Sequence, residues 1–161
     1  MIVRPNLKFL FAHPSHVIAL GIGTGLAPIA PGTVGTLLGF PCYWGLEAIM
    51  GSLGALLSCV PLFLLGIWAC KKTGDDLGVA DHSGMVWDEV VAFIAILVFT
   101  PAGWGWQVTA FFVFRCFDVL KPPPIRQVDR HWKGGFGVMF DDIIAAAYTL
   151  LVLAILVRAL D

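Results

Sequence analysis

Between Glu89 and Arg115 the chain carries no charged residue, and the run is broken only by TPAGWGW at 100–106. So long an uncharged and mostly apolar stretch is suited to enclosure by protein or by lipid. Three more apolar blocks accompany it. They cover 33–50, with Glu47 near the far end, 52–70 and 142–160, and the double block itself covers 85–117. A membrane-crossing helix needs about 20 residues. The pattern therefore predicts an all-α, polytopic membrane helix bundle of about five transmembrane helices, with 85–117 folded as two short helices about its Pro/Gly turn. Trp104 and Trp106 suit the membrane interface there. The chain is 58% hydrophobic and only 13% charged, where soluble domains run near 25% charged. At 161 residues it reads as one domain.

Three polar segments separate these blocks: 21–36, 71–89 and 114–142. Successive segments are two crossings apart, so parity puts all three on one side. Arg4, Lys8, Lys71, Lys72, Arg115, Lys121, Arg126, Arg130 and Lys133 fall on that side and Arg158 on the other. The positive-inside rule makes the shared side cytoplasmic. The turns near Gly51 and Gly103 are short and uncharged. A net charge of −1 offers no field for nucleic acid. Cys42, Cys59, Cys70 and Cys116 form no CxxC pair and read as small apolar fillers. Residues 1–20, interrupted by Pro5, His13, Pro14 and His16, do not have the form of a signal peptide.

Each polar segment carries its own chemistry. The first, GIGTGLAPIAPGTVGT, offers Thr24, Gly25, Gly32, Thr33, Gly35 and Thr36. Glycine lets backbone N–H groups approach an anion closely, and a helix starting near Thr33 would point its amides at the same space. Glycines that let helices pack are the competing reading. The second places Asp88 and Glu89 at the start of an apolar run. Acids at a membrane edge are expensive and are functional candidates by default, and hard cations such as Mg²⁺ favour carboxylate oxygens. Adjacent helical residues point about 100° apart, so one of the pair would ligate while the other holds water or a base. Asp81 and His82 read as loop residues. The third aligns Arg115, Asp118 and Lys121 on one helix face. It breaks at KPPPIR, supplies Arg126, Arg130 and Lys133 for phosphate, and ends in KGGFGVMFDD, where glycines precede Asp141 and Asp142 at the start of the last block.

Taken as a set, GTGLAPIAPGTVGT, DHSGMVWDE and FRCFDVLKPPPIRQVDRHWKGGFGVMFDD resemble the phosphatidylglycerophosphatase A family of bacterial membrane phosphatases, in the family's order. The order of Gly and Ser in DHSGMVWDE, and Pro123 in KPPPIR, are small departures that touch no acid or base. The resemblance implies Mg²⁺-dependent hydrolysis of the lipid phosphatidylglycerophosphate to phosphatidylglycerol and phosphate, at the cytoplasmic face of the inner membrane. The expected metal ligands are Asp88, Glu89, Asp141 and Asp142, with Asp118, Arg115, Lys121 and Arg126 as further catalytic groups. Thr24, Gly25, Gly32, Thr33, Gly35, Thr36, Arg130 and Lys133 are expected to hold phosphate. Cys116 lacks the arginine of a Cys-x5-Arg phosphate loop, and SGH is missing, so water attack assisted by a metal is the expected chemistry. A small Mg²⁺ or anion transporter and a lipid-binding scaffold are the alternatives. Transport sites lie mid-span, where this chain has almost no charge, and a scaffold has no use for the acids. Composition and spacing leave the oligomeric state open.

Overall fold

A computed structural model describes residues 5–160; Arg4, counted above with the cytoplasmic charges, lies outside them. Among the described residues the chain is all-helical, with no strand. Two short helices, α1 (Leu7–Leu10) and α2 (Pro14–Ala19), and a 3-10 turn (Gly21–Leu26) precede α3 (Pro31–Leu77), α4 (Trp87–Phe99), α5 (Trp104–Leu120), α6 (Ile125–His131) and α7 (Gly135–Leu160).

α3 is two antiparallel limbs, 31–50 and 52–77, reversing at Gly51, whose φ of 72° and ψ of 173° no helix contains. Glycine alone adopts that backbone region readily. Glu47 Oε1 accepts from Tyr43 one turn earlier at 2.8 Å and from Ser52 across the reversal at 3.1 Å. The second limb continues past the apolar block through KKTGDD, so Lys71–Asp75 and Lys72–Asp76 become i,i+4 pairs on a helix instead of loop charges.

α3 and α7 are long and apolar enough to cross a membrane, and α3 and α7 carry an outer surface of Leu37, Trp44, Leu53, Leu57, Val60, Leu64, Leu151 and Ile155. Apolar exposure on this scale is unusual for a water-soluble domain. α4 is different. Its 13 residues span about 20 Å, short of the roughly 30 Å of hydrocarbon. Val90 to Ile94, Ile96 and Leu97 are buried against α3 and α7. It is the core of the bundle, wrapped by longer helices. An apolar helix without a polar face needs such a wrapping. Trp87 anchors its start by donating its indole N–H to Leu62 O at 3.1 Å.

α7 begins at Gly135, earlier than the sequence suggests. Gly135 and Gly137 are packing positions: a Cβ on them would come within 2.0 Å of Ile67 O and 1.6 Å of Trp132 O. Asp141 and Asp142 therefore lie inside the helix and not at its start. The N-terminal segment is held at the same end of the bundle by His16, which bonds Phe9 O and Asp76 Oδ2, each at 2.8 Å. The starts of α3, α4 and α7 and the end of α5 meet at one end of the molecule, as the parity of the segments predicts. The cysteines are free thiols.

Candidate active site

That end encloses a cavity of about 280 Å³ lined by Pro31, Gly32, Asp81, His82, Asp88, Glu89, Arg115, Asp118, Lys121, Asp141 and Asp142. Four helices and one loop contribute, so the site exists only in the folded chain.

α4 delivers Asp88 and Glu89 in its first turn, and α7 delivers Asp142 from its interior. One oxygen from each of these three side chains lies within 4.8 Å of the others. Asp88 Oδ1, Glu89 Oε2 and Asp142 Oδ2 are buried with no hydrogen-bond partner. Ionised groups this close repel by about 3 kcal/mol per pair at an effective dielectric of about 20, and leaving them unpaired adds a desolvation cost of several kcal/mol each. The three acids thus fit a hard divalent cation by donor type, proximity and unmet demand.

Asp141 lines the same cavity outside this trio, and its Oδ1 is likewise buried without a partner. Lys121 donates to its Oδ2 at 2.8 Å and to Asp129 Oδ1 at 2.9 Å, joining α5, α6 and α7. Burial alone would lower the Lys121 pKa, but its bonds to Asp141 and Asp129 outweigh that and hold it above its ordinary value, so it stays cationic. Its backbone is left-handed, φ 43°, where the helix ends before KPPP.

Arg115 is clamped by Asp118, one turn on, and lies 3.6 Å from Glu89 Oε1 and 3.4 Å from Thr36 Oγ1. Its buried Nε has no partner. Gly32 allows this approach. A Cβ there would stand 2.3 Å from Glu89 Oε1 and 3.1 Å from Arg115 Nη2.

The other expected phosphate ligands do not line the cavity. Thr24 donates to Gly21 O, and Thr36 donates to Gly32 O. Gly25 and Gly35 are contact points for the loop before α4: their Cβ atoms would fall 1.9 Å from Gly84 O and 2.5 Å from Val86 Cβ. Thr33 stands in the first turn of α3, its N–H bonded to Ala30 O at 3.0 Å. Arg126, Arg130 and Lys133 are exposed on and after α6, outside the cavity, with Lys133 donating to Asp129 O at 2.7 Å. These basic groups stand beside Trp132, which stacks with Phe140.

Sequence reasoning missed Asp129 and His82. Asp129 had one signal, an acid inside an otherwise basic run. His82 had none beyond its place in DHSGMVWDE.

A family model described as phosphatidylglycerophosphatase A matches residues 17–157. A Haemophilus influenzae protein of that name is 42% identical over 150 residues, covering 92% of each chain. Its Escherichia coli counterpart is 37% identical over 145 residues, covering 89% of this chain and 83% of its own. A Bacteroides thetaiotaomicron protein with the provisional name phosphatidylinositol-3-phosphatase is 36% identical over 146 residues, covering 86% of this chain and 91% of its own. No solved structure matches. The family model covers most of the chain, site included, and the chain belongs to the phosphatidylglycerophosphatase A family.

Proposed function

We propose that the protein is a Mg²⁺-dependent phosphatase that converts phosphatidylglycerophosphate to phosphatidylglycerol and phosphate, the activity named for its Haemophilus and Escherichia relatives. The observation that carries the mechanism is the trio of Asp88, Glu89 and Asp142, with buried, unpartnered oxygens in a cavity that also holds Arg115 and Lys121. When bound there, Mg²⁺ supplies charge neutralisation and Lewis acidity. The chain's own groups do the rest. Asp88, Glu89 and Asp142 hold the ion, and their second oxygens can accept a proton from the attacking water. Arg115, its fork already set by Asp118, offers a guanidinium edge to phosphate. Lys121 balances Asp141 and keeps cationic charge at the cavity wall. Most of the rate enhancement comes from positioning and preorganised charge.

The reading extends to the membrane. The two limbs of α3, with α5 and α7, face lipid, α4 lies inside them, and the site end faces the cytoplasm of a bacterial inner membrane. The apolar exteriors of α3 and α7 and the Lys/Arg asymmetry support this. Arg126, Arg130, Lys133 and Trp132 then form a basic, aromatic surface for anionic headgroups.

The test is phosphate release by purified protein from phosphatidylglycerophosphate and, separately, from phosphatidylinositol 3-phosphate. Release from the first, lost in EDTA and restored by Mg²⁺, is the expected result. Full activity in chelator rejects the metal mechanism, and release from the second substrate alone reassigns the headgroup.

A further inference from the structure

The loop between α3 and α4 is held more firmly than a connector needs to be. Met85 N–H bonds His82 O at 2.7 Å, and Val86 N–H bonds Ala19 O at 2.9 Å. Gly84 lies backbone to backbone against Gly25, and Val86 fills the space left by Gly35. What this clamp fixes is the imidazole of His82. Gly84 N–H donates to His82 Nδ1 at 3.0 Å. A backbone N–H can only donate, so Nδ1 is an acceptor and carries no proton. The ring is then neutral, with its proton on Nε2. Among the described residues Nε2 has no bonding partner. The ring lines the acidic cavity on one side and, on the other, a second cavity of about 400 Å³ walled by Gly25, Ala27, Pro28 and Pro31.

Resting on the phosphatase reading above, we propose that His82 is a substrate-binding residue of this site: a neutral Nε2–H donor to a phosphate oxygen, and not the acid that protonates the leaving group. The tautomer decides between these roles. A neutral imidazole that surrendered its Nε2 proton would become an imidazolate, far above any accessible basicity, whereas a general-acid histidine needs both nitrogens protonated. The bond from Gly84 occupies the second nitrogen. With Nδ1 taken by Gly84 and Nε2 protonated, the ring has no free lone pair with which to ligate the cation. The glycine-rich first segment thereby serves phosphate binding indirectly, by fixing the loop that aims His82.

The test compares His82→Ala, His82→Gln and His82→Asn. The amide nitrogen of Gln reaches the Nε2 position, whereas that of Asn reaches only Nδ1. Losing one hydrogen bond to a charged group costs roughly 10- to 100-fold. His82→Ala and His82→Asn should lose that much turnover, and His82→Gln should stay within a few-fold of the parent with the same pH profile. A readout free of turnover is protection against thermal unfolding by inorganic phosphate with Mg²⁺. It should be present in the parent and His82→Gln and weakened in His82→Ala. The proposal is overturned if His82→Ala turns over and is protected like the parent. It is also overturned if His82→Gln is as inactive as His82→Ala and loses an alkaline limb of the profile, which would make the residue an acid. A lower melting temperature with unchanged phosphate protection would make it structural. A parent protein that hydrolyses neither lipid removes the phosphatase reading, while the phosphate-protection arm still decides the role of His82.

Discussion

Asp88 and Glu89 stand in the first turn of α4, whereas Asp141 and Asp142 stand two turns inside α7. Both dipeptides border an apolar run in the sequence, but they meet different physics. At a helix start the free N–H groups and the macrodipole favour negative charge by about 0.3–1 kcal/mol. Inside a helix no such help exists. Asp141 is stabilised by Lys121 instead, and Asp142 is left to the trio. The first pair joins one oxygen cluster, and the second divides, Asp142 to that cluster and Asp141 to a lysine. An acidic pair at a hydrophobic boundary thus gives a location, while partner and helix position give the role.

The largest effect that could break this comparison is on turnover. Asp88→Asn, Glu89→Gln and Asp142→Asn should each lower phosphate release on the order of a thousandfold, several kcal/mol of transition-state stabilisation. Melting curves supply a second sign. Without divalent cation, Asp142→Asn removes a repelling buried charge and should raise the melting temperature. With Mg²⁺ present it should lower it relative to the parent. A variant whose melting responds to Mg²⁺ as the parent's does would dismiss the trio as an ion site. Gly32→Ala comes next, because its Cβ would collide with Glu89 Oε1. Displacing a ligand by about 1 Å should cost roughly a hundredfold in turnover, measured beside an unchanged helical circular dichroism spectrum.

Asp141→Asn should cost about 10- to 100-fold, in the range of groups that orient a site without ligating the metal. Its Mg²⁺ dependence of melting should match the parent's. If it instead loses that dependence, the two acids of α7 are equivalent after all. The smallest change belongs to Arg126→Ala, Arg130→Ala and Lys133→Ala. In detergent each should keep turnover within about threefold. Binding to anionic vesicles should weaken by about 1 kcal/mol per residue, an effect that salt erases.

Much of this was legible from the chain. The apolar blocks, the turns at Gly51 and Gly103, and the meeting of three polar segments at one end follow from block length and parity. The acids at the site were visible because charge beside an apolar run has so few innocent explanations. The start of α7 was not legible. Glycine is a poor helix former by intrinsic propensity, so GGFG reads as a loop until close packing on Ile67 and Trp132 overrides it. The division of Arg115 and Lys121 from Arg126, Arg130 and Lys133 was equally hidden, since all are cations in one segment and only burial separates them. Nor could spacing show that Gly25 and Gly35 support a loop far along the chain.

That support has a genetic consequence. Gly25 and Gly84 meet through their backbones, and a Cβ on Gly25 would fall 1.9 Å from Gly84 O. An overpacking substitution in a core can ordinarily be relieved by a smaller neighbour. Here neither neighbour has a side chain to shrink. A selection for revertants of Gly25→Ala should therefore yield true reversion to glycine, or changes in the loops that let the two segments drift apart. It should yield no compensating substitution at position 84. The two positions should be jointly intolerant yet show no covariation, and a contact map inferred from paired substitutions would omit the junction that aims His82.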